Sequence, residues 1–351
     1  MKVADLFAGV GGFSQGFIKA GCEIAFAVEF DKEIAYAYKM NHPNTEVYAD
    51  DICKLDIGEI KQRHPVIDIV IGGPPCQGFS QKGKRLSLDD PRNFLFKQFV
   101  RFVAAFKPKY FVIENVPNII TTSEGYFKKQ IIREFCELGY DVCCGVLCAS
   151  DFGVPQDRRR AVFIGQLEKL EVGLPIPNGS KTTIKEAIYD LPFIGSGEGK
   201  EVSKYDKVPF TEFQKELRGN EDVLYNHVAT KHSRAAIEKL KLIPKGMGKE
   251  VLPKHLLTKS IYSGTWSRLL EDDIAPTITT RFDTPSSGRF THPILNRCLT
   301  VREAARIQTF PDSFVFYGTK GSQMKQVGNA VPPKLAYVIA NEIVKNEMNK
   351  K

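Results

Sequence analysis

The sequence has no apolar run that approaches the roughly 20 residues needed to cross a bilayer. Its 351 residues contain no internal repeat and no low-complexity tract. The chain starts without the apolar stretch and small-residue cleavage site of a secretory signal. We therefore expect a globular protein that has no membrane association and stays in the cytoplasm.

Cysteine occurs eight times, but without a Cys-x-x-Cys pair and without a regular spacing. Zinc knuckles and disulfide scaffolds require such spacing, so we expect no metal site and mostly buried thiols. The net charge of +8 favours a polyanionic partner, although many soluble proteins have a similar balance. Charge alone therefore does not identify the partner.

The first half of the chain alternates between short apolar runs and segments with helical spacing. The strand candidates are Val3–Phe7, Ile24–Val28, a short run near Val47, Val66–Ile71, Tyr110–Ile113, Val142–Leu147 and Ala161–Ile164, and the helix candidates are Phe13–Ala20, Lys32–Met40, Phe94–Phe106 and Phe127–Leu138. This alternation predicts an α/β fold with a doubly wound, mostly parallel sheet.

From about Ile188 the pattern gives way to turn-rich sequence, which predicts a second, smaller, irregular and β-rich domain. The apolar face of Pro333–Lys345 predicts a last helix that returns to the first domain. We therefore expect one domain of residues 1–187 plus 327–351 and a second of residues 188–326.

Special residues follow five of the predicted strands, at their carboxyl ends. They are the glycine-rich segment Phe7–Gly12, Glu29, Asp51, the segment Gly72–Cys76 and the pair Glu114–Asn115. Ligands of open α/β sheets bind at that edge, so one shared site would explain all five features. Taken singly, the glycine segment is also typical of a plain turn, Glu29 suits the ribose of NAD equally well, and Asp51 is also typical of a turn or helix cap.

Cys76 follows two glycines and two prolines, in a segment that would hold its thiol at a fixed point above the sheet edge. A lone cysteine is more often a small buried apolar residue than a nucleophile. The surrounding sequence, however, favours the catalytic interpretation.

Five motifs together resemble the ordered motif set of cytosine-5 DNA methyltransferases. They are Gly73-Pro74-Pro75-Cys76-Gln77, Glu114-Asn115-Val116, Gln156-Asp157-Arg158-Arg159-Arg160, Arg302-Glu303-Ala304-Ala305-Arg306 and Gly328-Asn329-Ala330-Val331-Pro332. The resemblance extends from residue 3 to about residue 345 and leaves mainly the middle of the second domain unmatched. It implies a Rossmann-like methyltransferase fold and the use of S-adenosylmethionine, with S-adenosylhomocysteine as product.

The resemblance also implies catalytic roles that the chemistry explains. Carbon 5 of cytosine is a poor nucleophile, so a thiolate must first add at carbon 6, and Cys76 is the residue for that step. Glu114, with Asn115 beside it, would bind N3 and the exocyclic amine, stabilising charge as the thiolate adds. Arg158 would hold O2 of the base, and Arg160 would support it.

For the cofactor, the resemblance implies a pocket at the carboxyl ends of the strands. Its predicted members are Phe7, Ala8, Gly9, Gly11, Gly12, Glu29, Phe30, Asp51, Ile52, Pro75, Leu95 and Asn329. Glu29 would bind the ribose and Asp51 the adenine amine. Phe30 stands where the family often has tryptophan, and both are flat aromatics that can stack on adenine.

The resemblance implies double-stranded DNA as the partner, and the target cytosine must then leave the duplex before a thiol can reach its ring. The candidate DNA-binding residues are Ser80, Lys82, Lys84 and Arg85 in a closing loop, and Thr277, Arg281 and Arg289 in the second domain. The segment Arg302–Gln308 is expected to form a helix whose charged side chains have a structural role and do not contact DNA. A bacterial restriction-modification setting and a monomer are expected, while the pairing with a restriction endonuclease stays open.

Three alternatives remain at this point. An RNA cytosine-5 methyltransferase shares the motif set, but the Cys-Phe-Thr segment associated with transfer RNA activity is missing. An oxidoreductase would explain the glycine segment and Glu29, but not Cys76 with Glu114. A non-catalytic DNA-binding protein would give no reason for a complete set of catalytic residues.

Overall fold

The computed structural model describes residues 1–75, 94–121, 125–257 and 264–350. The chain divides into two compact units. The first unit comprises Met1–Cys148, Arg159–Asn178 and Val331–Lys351, and the second comprises Ala149–Arg158 and Gly179–Ala330. Residues 149–158, 179–187 and 327–330 thus belong to the second unit, whereas the sequence-based boundaries placed them in the first domain. The functions assigned to the two domains stay predictions.

The described helices and strands have the following bounds. In chain order, the strands are β1 (Lys2–Leu6), β2 (Glu23–Val28), β3 (Glu46–Tyr48), β4 (Ile69–Gly72), β5 (Tyr110–Asn115), β6 (Tyr140–Cys148), β7 (Gln156–Asp157), β8 (Arg159–Leu167), β9 (Gly199–Lys204), β10 (Val223–Val228) and β11 (Ala275–Pro276). The helices are α1 (Gly12–Lys19), α2 (Lys32–Asn41), α3 (Ile57–Arg63), α4 (Phe94–Phe106), α5 (Asn118–Thr121), α6 (Tyr126–Cys136), α7 (Ile184–Ile188), α8 (Glu212–Arg218), α9 (Arg234–Lys241), α10 (Val301–Ile307), α11 (Lys320–Asn329) and α12 (Pro333–Asn349). In the described part of the chain, no helix is long and apolar enough to cross a membrane.

A seven-stranded sheet with the order β3-β2-β1-β4-β5-β8-β6 forms the first unit. Strands β1 to β5 pair in parallel, and β8 runs antiparallel to both β5 and β6. Alternate residues of β1 face opposite sides: Ala4 and Leu6 pack in the core that contains α4, while Asp5 contacts Ser14 of α1. The structure therefore confirms a doubly wound, mostly parallel sheet.

Helix α12 returns to the first unit, as its apolar face predicts, and packs against α1. Gly16 permits this packing, because a Cβ atom there would lie 2.6 Å from the carbonyl carbon of Ala336 and would also overlap the backbone nitrogen of Tyr337. Two helices can approach this closely only where one of them lacks a side chain.

The second unit is irregular, as expected, but the expectation of a β-rich domain is wrong. Its strands are the antiparallel pair β9 and β10 and the two-residue parallel pair β7 and β11. Helices α7, α8 and α10 begin at Thr183, Thr211 and Thr300, and each of these threonines forms a capping box with the residue three positions later. These caps start helices in a sequence whose turn residues suggested strands.

Buried ion pairs lie at the centre of the second unit. Arg306 on α10 contacts Asp190 at 3.0 Å and Asp312 at 2.5 Å, and Arg297 binds both carboxylate oxygens of Glu303 at 2.8 Å. All five side chains are buried. A buried charge without its partner would be strongly destabilising, so the structural role predicted for the charges of this helix is confirmed.

The cysteines differ from expectation. Among the described residues, Cys22 and Cys298 are buried, Cys136 is exposed, and Cys53, Cys143, Cys144 and Cys148 are intermediate. The expectation of mostly buried thiols is therefore wrong. Cys143, Cys144 and Cys148 lie on β6, the edge strand of the sheet.

We expect Gly16→Ala to lower the free energy of unfolding by about 1–3 kcal/mol, because the methyl group forces α1 and α12 apart. Gly321→Ala is the matched control, since Gly321 also lies in a helix and has open space around its Cβ position. That control should be neutral or stabilise by up to about 1 kcal/mol. Urea denaturation measures both, and equal stabilities for the two variants would contradict the packing argument.

Candidate active site

The five features singled out in the sequence lie at one edge of the sheet. Strands β3, β2, β1, β4 and β5 are parallel neighbours, so their carboxyl ends align. Each end continues into one of the expected segments, which are Phe7–Gly12, Glu29, Asp51, Gly73–Pro75 and Glu114–Asn115. Their predicted convergence is confirmed.

The segment after β1 is a tight turn in the left-handed region. Phe7, Gly9 and Gly11 have φ values of 58°, 56° and 97°. The left-handed conformation costs free energy at Phe7, because a residue with a side chain rarely adopts it outside functional sites. Gly11 cannot be replaced freely, since a Cβ atom there would lie 2.8 Å from the ring of Tyr38. Ala8 and Gly12 on either side are buried, and Gly12 begins α1.

Glu29 holds this turn to the end of β2. Its carboxylate accepts hydrogen bonds from the backbone N–H of Gly9 and of Asp31, both at 2.8 Å. Burial raises the pKa of Glu29, and these two hydrogen bonds oppose that rise. The carboxylate predicted to bind a ribose therefore also fixes the backbone of the glycine turn.

Beneath the turn lies a buried polar group that the sequence analysis missed. Asp5 on β1 accepts a hydrogen bond from Ser14 Oγ at 2.6 Å, and Ser14 Oγ lies 2.7 Å from the hydroxyl of Tyr38. The other oxygen of Asp5 is buried and has no hydrogen-bond partner among the described residues. Burial raises the pKa of Asp5 to about 7, and the nearby Glu29 adds to the rise. The signal in the sequence that could have revealed this group is Asp5 itself, a carboxylate within an otherwise apolar predicted strand.

The remaining predicted cofactor residues have mixed environments. Phe30 is 73% exposed, which is unusual for a large aromatic side chain. Ile52 is buried and Leu95 is partly buried in the core of the first unit. Asp51 accepts a hydrogen bond from Cys53 N at 3.0 Å, which lowers its pKa and makes it the cap of a turn. Pro75 is exposed.

Glu114 and Arg160 form an ion pair at the end of β5. Glu114 lies opposite Val162 in the β5–β8 pairing, and Arg160 is two residues before Val162, so both side chains emerge on the same face. Arg160 Nε lies 2.6 Å from Glu114 Oε1, with side chains 15% and 11% exposed. A carboxylate and a guanidinium thus meet at the sheet edge with limited access to water.

The segment before Cys76 packs directly against this ion pair. Asn115 Nδ2 donates to the carbonyl oxygen of Pro74 at 2.9 Å, which fixes the position of that proline. A Cβ atom on Gly73 would lie 3.2 Å from the Glu114 carboxylate, so glycine allows the backbone to approach it closely. The motifs of β4 and β5 are therefore parts of one structure.

Arg158 and Arg160 have different environments although two residues separate them. Arg158 is 1% exposed, and its guanidinium donates to the carbonyl oxygens of Ile278, Gly328 and Ala330 at 3.1, 3.1 and 2.8 Å. These contacts lie within the second unit. Arg160 binds Glu114 in the first unit. The assignment of O2 binding to Arg158 stays a prediction.

Other predicted residues of the second unit lie at or near its surface. Thr277 donates its hydroxyl to the carbonyl of Asp157 at 2.5 Å, while Arg281, Arg289 and Asn329 are exposed. Their predicted contacts with DNA or cofactor stay predictions. The predicted nucleophile Cys76 and the predicted loop residues Ser80, Lys82, Lys84 and Arg85 lie outside the described residues.

Comparisons with known proteins agree with this geometry. The family model of C-5 cytosine-specific DNA methylases matches residues 1–345. The chain belongs to this family. It is 40% identical to the Type II methyltransferase M.DdeI of Desulfomicrobium norvegicum, over 98% of this chain and 88% of that protein. It is 38% identical to the Type II methyltransferase M1.HphI of Haemophilus parahaemolyticus, over 98% and 87% of the two chains.

Solved structures share the fold of this methylase. An E. coli prophage-encoded protein described as a DNA modification methyltransferase has a TM-score of 0.81 and 30% identity, with 99% of each chain covered. The S. pombe Dnmt2 methyltransferase has a TM-score of 0.63 at 17% identity, which shows the fold alone. The predicted Rossmann-like methyltransferase fold is confirmed.

The methylase is therefore a DNA (cytosine-5) methyltransferase, and the family implies the use of S-adenosylmethionine. This confirms the main interpretation over the RNA enzyme, the oxidoreductase and the non-catalytic binding protein. Among the described residues, no group of three or more His, Cys, Asp or Glu side chains could hold a metal ion.

The buried Asp5 predicts a pH dependence of folding stability. Its pKa is about 7 in the folded protein against an ordinary 3.8, so the folded state retains a proton that the unfolded chain has released. This contribution to stability is present below about pH 4 and is lost as pH rises to about 7. We expect Asp5→Asn to gain stability relative to the wild type across that window, measured by denaturation at several pH values.

Tyr38→Phe is the control for this experiment. It removes the other polar neighbour of Ser14 but keeps the carboxylate, so the wild-type pH dependence should persist. A constant stability difference between wild type and Asp5→Asn from about pH 4 to about pH 7 would show that Asp5 ionises normally.

Proposed function

We propose that this methyltransferase acts on a specific sequence of double-stranded DNA, with Cys76 as the nucleophile and with Glu114 and Arg160 at the target cytosine. The supporting observation is the partly buried ion pair between Glu114 and Arg160. Gly73 lies beside the Glu114 carboxylate, and Pro74 is hydrogen-bonded to the adjacent Asn115. Cys76 follows this segment in the sequence.

The chemistry requires a carboxylate and a thiol together. The Cys76 thiolate adds to carbon 6 of the cytosine, and the ring's electrons then make carbon 5 nucleophilic. Glu114 accepts a hydrogen bond from the exocyclic amine and transfers a proton to N3 as negative charge develops there, and Arg160 fixes the orientation of the resulting carboxylate. N3 returns this proton when the thiolate leaves. After methylation, carbon 5 loses its proton, and the electron pair of that bond expels the thiolate from carbon 6.

The residues at the glycine turn fit S-adenosylmethionine. When bound, this cofactor supplies an electrophilic methyl group. The turn of Phe7, Gly9 and Gly11 brings backbone close to a ligand, Glu29 offers hydrogen-bond acceptors, and the exposed Phe30 offers an aromatic face. The predicted pocket also includes Asp51 and Asn329.

The wider setting follows from the relatives. Those that match at 37–40% identity are named Type II methyltransferases. We infer that this enzyme works as a monomer in the bacterial cytoplasm, beside a restriction endonuclease of the same target sequence. Arg281 and Arg289, both exposed in the second unit, are candidates for contact with guanine or phosphate.

Methylation sequencing tests the function. DNA from cells that express the wild type should carry 5-methylcytosine at one sequence, whereas cells with Cys76→Ala should show none because no adduct forms. Duplex DNA with 5-fluorocytosine at that site should trap the wild type covalently, since fluorine cannot leave as a proton does. Normal methylation by Cys76→Ala would overturn the mechanism.

Glu114→Gln should lower kcat by about 10²–10³, because a preorganised charged contact to the ring is lost. Glu134→Gln is the matched control, since Glu134 also forms an ion pair at 2.6 Å, with Lys97, outside the candidate site. It should retain wild-type kcat. Steady-state methyl transfer with saturating DNA measures both, and equal rates would remove Glu114 from the mechanism.

A further inference from the structure

The chain passes between the two units at four points, after Cys148, Arg158, Asn178 and Ala330. Three of these points meet at Arg158. The carbonyl oxygen of Arg158 accepts a hydrogen bond from Ala149 N at 2.9 Å, and its guanidinium donates to Ala330 O at 2.8 Å. One residue thus connects, within the second unit, the chain ends at 149, 158 and 330.

The same guanidinium connects these ends to the segment predicted to contact DNA. It donates to Ile278 O and to Gly328 O, both at 3.1 Å. Residues Thr277–Arg281, which include two candidate DNA-binding side chains, are therefore joined to residues 328–330 at the end of α11 through one planar group. Five N–H donors in a fixed plane can hold several acceptors in set directions.

Neighbouring contacts make this arrangement tight. Gln156 accepts a hydrogen bond from Ile278 N at 3.0 Å and donates to Gln308 Oε1 at 2.6 Å. A Cβ atom on Gly328 would lie 2.7 Å from Thr280 N, so the end of α11 rests directly on the backbone of the 277–281 segment. A shift of one segment must therefore displace the other.

We propose that Arg158 is a positioning residue for target recognition. It fixes the 277–281 segment against the chain crossings of the second unit, so that the side chains of this segment meet the DNA in one arrangement. The proposal rests on the function proposed above. It gives Arg158 a role that differs from binding O2 of the cytosine, and the two roles affect different steps.

Arg158→Lys tests the proposal, because lysine keeps the charge but cannot hold three carbonyls in a plane. We expect the KM for DNA to rise about tenfold, the equivalent of one lost charge-assisted hydrogen bond, with kcat at saturating DNA within about threefold of wild type. Discrimination between the target sequence and sequences with one changed base pair should fall as well.

Arg302→Lys is the matched control. Arg302 is also buried in the second unit, and it also donates to three backbone carbonyls, those of Tyr225, Pro311 and Phe314. Its loss should lower the fraction of folded enzyme without a change in KM or discrimination. The same result for Arg158→Lys would show a merely structural role and overturn the proposal.

Two further outcomes are decisive. A fall in kcat at saturating DNA with unchanged KM and discrimination would assign Arg158 to the base and overturn the proposal. Gly328→Ala tests the same arrangement independently if Arg158→Lys fails to fold, because it displaces the 277–281 segment without altering Arg158. Its KM and discrimination should change in the same direction, and wild-type values would overturn the proposal. The methylation activity of the wild type tests the proposed function separately.

Discussion

Parallel pairing of β1 to β5 is the constraint on which the candidate site depends. Because these strands run the same way and lie side by side, the segments that follow them emerge along one edge. Residues between positions 7 and 115, which are far apart in the sequence, therefore lie along the same edge. The antiparallel strand β8 adds Arg160 to that edge, since its amino end lies beside the carboxyl end of β5.

The carboxylates at this edge differ in their burial and in their hydrogen-bond partners. Asp5 lies inside the sheet with one hydrogen-bond donor, so its pKa rises to about 7. Glu29 is held by two backbone N–H groups and shapes the glycine turn. Glu114 has a guanidinium beside it at 2.6 Å. Three carboxyl groups at this edge thus differ in their partners because their neighbours differ.

The second unit depends on polar contacts more than the first. Its centre contains Arg297, Arg302 and Arg306, each held by carboxylates or backbone carbonyls. Such groups specify geometry, because a guanidinium binds only where its acceptors lie in the correct directions. A unit with short strands and short helices can obtain a defined arrangement of its segments in this way.

The sequence by itself determined the approximate positions of the strands of the large sheet, the motif set and hence the family, since apolar runs and special residues are local features that require no knowledge of the distant chain. The boundaries of α4 and the return of α12 also followed from periodicity alone. The hidden Asp5–Ser14 contact and the helices of the second unit did not, because burial and packing involve residues far apart in the chain.

The difference between Arg158 and Arg160 shows what only the tertiary structure decided. Both are arginines of one motif, and only the family resemblance, not their order, gave them separate roles. In the structure, β8 begins at Arg159, so Arg160 lies within the strand and its side chain points to the face where it meets Glu114. Arg158 precedes the strand, and its side chain instead binds the carbonyl oxygens of Ile278, Gly328 and Ala330. Side-chain direction depends on where a strand begins, and that position was set by pairing with β5 and β6.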